Sequence, residues 1–159
     1  MDSVSIAATL KKCELFSELS DSEIGAIAGS AITEQYGPGE LIYEQGCIGR
    51  NLYILAEGQV SLERHIVLGK TSKANVTVFI QRETPSRRLM GSWSTLVGER
   101  HVQMCSAKCN QPTTVVCIPC SALSEIVAQN PQLRIKILEK LVIMLRDRIA
   151  SSYEALESL

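Results

Sequence analysis

G-S-W-S-T-L-V-G-E-R-H-V-Q-M-C-S-A, residues 91–107, is the stretch on which the fold is decided. Gly91 opens it, a segment long enough for one helical turn follows, and Gly98-Glu99 closes that turn. The basic pair Arg100-His101 comes next, then a run with strand character. Backbone N–H groups at the start of a short helix, with a cation beside them, form a cradle for an anion. The candidate ligand-contacting residues of this stretch are Gly91, Ser92, Trp93, Leu96, Arg100, His101 and Val102.

On either side of this stretch the chain reads as short strands cut by glycine turns. Tyr36-Gly37-Pro38-Gly39-Glu40 is a turn, 41–43 a short strand, and Gln45-Gly46-Cys47-Ile48-Gly49 a second turn. A strand at 52–55, a turn at Glu57-Gly58 and an alternating strand at 60–65 follow. Residues 69–74 read as polar loop and 76–80 as the next strand. After the central stretch, T-T-V-V-C-I at 113–118 is β-branched and ends at Pro119. Strands at this spacing predict a sandwich or small barrel. Gly39, Gly46 and Gly58 are expected to take φ angles other residues avoid. Q-R-E-T-P-S-R-R at 81–88 reads as a solvated basic linker, since exposed charge is the rule on surface loops.

Helices flank the strands. Residues 4–17 carry helical spacing in Ile6, Leu10, Cys13 and Leu15-Phe16. Ser20-Asp21-Ser22-Glu23 is a capping box that starts a helix running to about residue 30. Ser121 is expected to cap a short helix over 122–129. The longest helix occupies 131–159, with Pro131 at its first turn, where the missing N–H has no intrahelical partner anyway. Along it Ile135, Leu138, Val142, Leu145, Ile149, Ser152, Leu156 and Leu159 follow alternating steps of 3 and 4, a heptad seam interrupted only by Ser152. Leu133, Ile137, Leu141 and Met144 form a second stripe beside it. One stripe is expected to cover the strands while the other meets a second copy in a parallel homodimer.

Three stretches together resemble the cyclic nucleotide-binding domains, the β-roll module of catabolite-activator-type regulators and protein kinase A regulatory subunits. Residues 91–107 follow that family's phosphate-binding cassette, G-E-x-x-L-L-x-G-E-P-R-S-A-T-V-x-A, at Gly91, Leu96, Gly98, Glu99 and Ala107. Y-G-P-G-E-L-I-Y-E-Q-G and N-L-Y-I-L-A-E-G-Q-V resemble the first half of the roll, and L-F-S-E-L-S-D-S-E-I its N-terminal helical segment. The resemblance covers roughly residues 10–150. It implies a mainly β fold, an antiparallel β-roll (a double-stranded β-helix, jelly-roll-like) forming one domain over 1–159. N-terminal helices would fill 1–31, the roll 32–120, and helices including a dimerisation helix 121–159. It implies a non-enzymatic regulatory or sensor module whose ligand, cAMP, cGMP or another small anion, shifts the cassette and the C-terminal helix. Two positions depart from the pattern. The family glutamate that holds the ribose 2′-hydroxyl is Ser92, and the arginine that pairs with the cyclic phosphate is His101, with Arg100 one place early. An imidazole is mostly neutral at pH 7 and lacks the guanidinium fork, so cyclic phosphate binding should weaken by about a few kcal/mol.

The bulk numbers agree with such a module. The chain has 159 residues, 45% hydrophobic and 21% charged, with a net charge of −1. That length suits one domain with an appendage, and that charge argues against general polyanion binding. After the long helix no residues are left for a helix-turn-helix, so direct nucleic-acid binding is not expected. Apolar runs fall short of the roughly 20 residues of a membrane helix, and 1–12 lacks a secretion signal, so no membrane partner and a cytoplasmic location are expected. The six cysteines then read as free thiols. A zinc or redox site built on Cys105, Cys109, Cys117 and Cys120 is the lesser alternative, and a ligand-free dimerisation module the greater one. No resident cofactor or metal and no catalytic motif is read from the sequence.

Overall fold

The computed structural model describes residues 3–157 apart from Thr71. Helix α1 (Ser3–Lys12) leads through a 3-10 turn (Glu14–Phe16) to α2 (Asp21–Ala28). Ten strands follow: β1 (Ile32–Tyr36), β2 (Leu41–Tyr43), β3 (Ile48–Gly49), β4 (Asn51–Glu57), β5 (Val60–Leu68), β6 (Ser72–Gln81), β7 (Leu89–Gly91), β8 (His101–Val102), β9 (Ser106–Cys109) and β10 (Thr113–Pro119). Helices α3 (Cys120–Ala128) and α4 (Pro131–Glu157) follow. The strands form two antiparallel four-stranded sheets, in the orders β1-β10-β4-β7 and β2-β9-β5-β6, and a small β3-β8 ladder.

Strands β10, β4 and β7 of the first sheet are buried on both faces, which explains why L-Y-I-L and V-V-C-I are unbroken apolar runs. Leu52, Ile54, Leu89, Val116 and Ile118 point at the helices and join Leu10, Phe16, Ile24, Leu123 and Ile137 in one core. Tyr53, Leu55, Met90, Val115 and Cys117 point the other way, into the roll, and meet Val60, Leu62 and Ala107 of the second sheet. Alternation along each strand divides one apolar run between two cores. Gly39, Gly46 and Gly58 have φ of 85°, 85° and 105°, as their turns require.

The structure corrects several readings. Residues 72–74, expected as loop, are strand, and Gly69-Lys70 keep the turn: β5 and β6 pair from Val60↔Gln81 out to Leu68↔Ser72 as one long hairpin. The strands expected at 60–65 and 76–80 are present; the part beyond them, with Val67 and Leu68 exposed, faces solvent, so no core pattern marked it. The 81–88 linker is not wholly solvated. Gln81 and Arg88 are buried, and the Arg88 guanidinium donates to Leu55 O (2.7 Å), Ala56 O (3.3 Å) and Glu83 O (2.8 Å), tying the crossover between the sheets. Ser121 does not cap α3. Strand β10 runs directly into that helix with Pro119 at the N-cap, and the Cys120 N–H donates to Arg50 O. Half of the Ser20 capping box forms: the Glu23 N–H donates to Ser20 Oγ at 3.2 Å, while the Glu23 carboxylate pairs with Lys136 on α4 at 3.1 Å.

Helix α4 divides its two stripes only in part: Leu138 and Leu145 of the seam pack against the protomer's own helical core, which leaves the seam positions seven residues apart exposed. Leu133, Ile137, Leu141 and Met144 are buried in the helical core, and Asn130 Oδ1 caps the start by accepting from the Leu133 N–H. Ile135, Val142, Ile149 and Leu156 are at least half exposed (50, 66, 55 and 62%). Leu159, the last seam position, lies outside the described residues.

Two buried thiols make the fold sensitive to alkali. Burial pushes Cys13 and Cys117 up to about 12 from an ordinary 9.0. A thiol with a raised folded pKa favours the folded state fully below pH 9, and that advantage is lost as pH climbs from 9 toward 12. Urea midpoints in reductant should therefore be flat from pH 7 to 8.5 and then fall, each thiol contributing up to about 1.4 kcal/mol per pH unit. The fall should be shallower in Cys13→Ala; an equal slope in the variant would rule Cys13 out as a source.

Candidate ligand-binding site

The cassette stretch folds as read. Strand β7 ends at Gly91, a 3-10 helix spans Trp93–Val97, Gly98 closes it in the left-handed conformation (φ 80°), and β8 returns the chain by pairing with β3, His101 opposite Gly49. This loop, residues of β2, β5 and β6, and the middle of α4 line a half-open chamber of about 150 Å³.

Of the seven residues singled out from sequence, the structure brings three to the chamber: Gly91, Trp93 and His101. The other four go elsewhere. Ser92 is fully buried behind the wall, where Gln103 Nε2 donates to its Oγ at 3.2 Å and Cys120 Sγ to its carbonyl oxygen. Gly49 leaves the room for this pair, because a Cβ there would lie 1.9 Å from Ser92 Oγ. Leu96 packs in the helical core. Arg100 and Val102 are exposed and do not line the chamber. Nor does the short helix offer a full cradle: the Ser92 N–H donates to Asn51 O and the Thr95 N–H to Ser92 O.

His101 is set up as a neutral wall rather than a cation. Its Nδ1 lies 2.6 Å from Ser94 Oγ, and its ring meets the edge of Trp93 with centroids 5.3 Å apart. Burial lowers its pKa below 6.5, opposed by a hydrogen bond that the ring donates to the Gln103 side chain.

The cation in the chamber wall comes from a position the cassette pattern does not include. Arg148 of α4 reaches over the Phe79 ring, 5.8 Å from its centroid, and donates through Nη2 to Leu89 O. Burial is the largest cause lowering its pKa from 12.5, and neighbouring Arg87 acts in the same direction. An arginine remains protonated under such shifts. No carboxylate forms a salt bridge with it among the described residues. A sequence signal for it existed: the buried stripe Leu133, Ile137, Leu141, Met144 steps next onto 148, so a charge falls where an apolar residue is expected. Apolar and aromatic groups supply most of the remaining lining, among them Tyr43, Leu62, Met104 and Leu145.

The cysteines do not converge. Cys117 faces the roll interior and Cys120 the helical core, so the two thiols of the C-x-x-C lie in different cores. Among the described residues no three His, Cys, Asp or Glu side chains group to hold a metal. No helix there is long and apolar enough to cross a membrane.

Comparison with solved structures places this architecture. The chain superposes on a cyclic nucleotide-binding domain from Methylobacillus flagellatus with TM-score 0.78 and 20% identity, over 98% of this chain and 83% of the other. It matches the sensor domain of the transcriptional regulator DNR from Pseudomonas aeruginosa with TM-score 0.69 and 18% identity, over 93% of each chain. The regulatory domain of Toxoplasma gondii protein kinase A, solved with cAMP, gives TM-score 0.69 and 16% identity over 88% of this chain and 49% of that one. No protein-family model matches the chain, and no curated protein matches it. The fold is that of the cyclic nucleotide-binding β-roll, shared with regulatory and sensor domains.

Proposed function

We propose that this chain is a regulatory sensor module that takes a small anionic ligand into the chamber and passes its occupancy to α4, through which two copies dimerise. One observation carries the reading: the chamber is walled jointly by the cassette, through Trp93 and His101, and by α4, through Leu145 and Arg148. A ligand there touches both, so it favours whichever arrangement of cassette and helix fits it better. The exposed heptad positions of α4 supply the surface for a second copy. The role proposed is regulatory rather than catalytic, and the location cytoplasmic. The Cys105 thiol in the chamber is held protonated by burial and His101 is neutral, a poor pairing for nucleophilic chemistry.

Sedimentation velocity tests the dimer: a two-copy species at micromolar concentration supports it, and a monomer throughout overturns it. Thermal melting tests the ligand. With Ser92 turned away and His101 neutral, millimolar cAMP or cGMP should leave the melting temperature within about one degree. A cyclic nucleotide bound at a hundred times its dissociation constant would add about 2.7 kcal/mol, several degrees for a domain of this size.

A further inference from the structure

We infer that the chamber binds a small aromatic carboxylate, with its ring between Trp93, Phe79 and Tyr43 and its carboxylate on the Arg148 guanidinium. This rests on the reading of the chamber as a ligand site proposed above and names the ligand class.

Size sets the first preference. The half-open chamber of about 150 Å³ matches a single benzene-sized ring, whereas drug-sized ligands fill roughly 300–1,000 Å³ and would extend out of it into solvent. A cyclic nucleotide brings two fused base rings, a ribose and a cyclic phosphate, far more than one ring. The lining sets the second. Phe79, Trp93 and Tyr43 offer ring faces and edges, and Leu62 and Leu145 close the sides. Aromatic groups gain from such edge and face contacts beyond simple burial. Charge sets the third. Arg148 brings one positive charge, with Arg87 as its neighbour and no carboxylate bonded to it among the described residues. His101 adds none. A monoanion matches the one cation in the chamber lining; a cyclic phosphodiester is also a monoanion, so charge excludes a phosphate monoester dianion, and ring size rather than charge separates benzoate from a cyclic nucleotide. The planar guanidinium also fits a carboxylate through two parallel N–H donations. Because Arg148 already donates to Leu89 O of β7, a carboxylate bound to it would add a second tie between α4 and the strand that leads into the cassette.

The chain carries its own reporter, since Trp93 is its single tryptophan and lines the chamber. The probes are benzoate, the uncharged benzyl alcohol, cAMP and cGMP, each at millimolar concentration, read by tryptophan emission and by melting temperature. Benzoate should shift both readouts saturably, and benzyl alcohol should bind at least tenfold more weakly. Arg148→Gln should weaken benzoate at least tenfold and leave benzyl alcohol unchanged, which also shows that the variant folds. Arg148→Lys keeps the charge without the fork and should fall between. Equal binding of benzoate and benzyl alcohol, or benzoate binding that survives Arg148→Gln, overturns the inference. If benzoate is silent while a cyclic nucleotide shifts both readouts, the ligand class is wrong and the sensor reading stands. Silence to all four probes overturns both.

Discussion

Gly91→Ala should lower stability by about 3–5 kcal/mol and the melting temperature by about ten degrees or more. Gly91 sits at the end of β7 with φ 102°, a conformation L side chains rarely adopt. A Cβ there would lie 2.6 Å from Asn51 O, 3.0 Å from the Tyr53 ring and 3.4 Å from Leu52 Cα. Two of those obstacles are backbone atoms of β4, held in register by the Leu52↔Gly91 pairing, so neither can rotate aside. Backbone strain and overlap then act together at the point where the central sheet passes into the cassette. The control is Gly25→Ala in the interior of α2, where a Cβ meets nothing within 4 Å. That change should stabilise by about 0.5–1 kcal/mol, because alanine in a helix avoids glycine's extra loss of chain freedom. Both are read by thermal or urea denaturation. A Gly91→Ala protein as stable as wild type would mean that β4 and β7 can part here without loss.

Particular residues show why the sequence disclosed the roll more fully than the site. The roll rests on local signals: glycines with positive φ at 39, 46 and 58, β-branched runs in β4 and β10, and a cassette whose turn closes at Gly98. Each signal is contained within a few residues and survives as a pattern. The chamber depends on groups that only the fold brings together. Tyr43, Phe79 and Arg148 are separated by 36 and 69 positions and meet because β2, β6 and α4 converge. Position in the cassette pattern placed Ser92 and Arg100 at the ligand, but the pattern does not say where a side chain points. Serine is short enough to turn inward to Gln103, and Arg100 lies in the turn before β8, with its side chain in solvent. The β5–β6 hairpin is read too short for a related reason. Its outer end, 66–68 and 72–75, is largely exposed and has no core to face, so the polar run after Gly69 reads as loop.

Charged substitutions on the exposed seam of α4 should separate the dimer while leaving the protomer folded. Val142 and Ile149 are 66% and 55% exposed and lie seven residues apart, with Ile135 and Leu156 continuing the interval in either direction. In a two-fold symmetric parallel pair each such position faces its own copy, so Val142→Glu brings two carboxylates against each other in an apolar seam. An uncompensated charge buried in this way costs about 3–5 kcal/mol, equal to a dissociation constant raised by at least a hundredfold. Ile149→Glu should act similarly. Neither side chain belongs to the helical core of the protomer, so the monomer's far-ultraviolet spectrum should stay unchanged. Ile137→Glu is the contrasting case. Ile137 is 1% exposed in the opposite stripe, and its replacement should unfold the protomer rather than dissociate it. Sedimentation and circular dichroism together separate these outcomes. If Val142→Glu and Ile149→Glu sediment as the wild type does, copies of the chain do not meet along this seam. Arg148 lies between these two surfaces, next in sequence to Ile149 on the seam and one step along the stripe from Met144 in the core. A ligand that draws on Arg148 therefore acts at the level of the helix where dimer contact and chamber are one residue apart, and seam variants that dissociate the pair should also change benzoate affinity, by the same factor by which benzoate changes dimerisation.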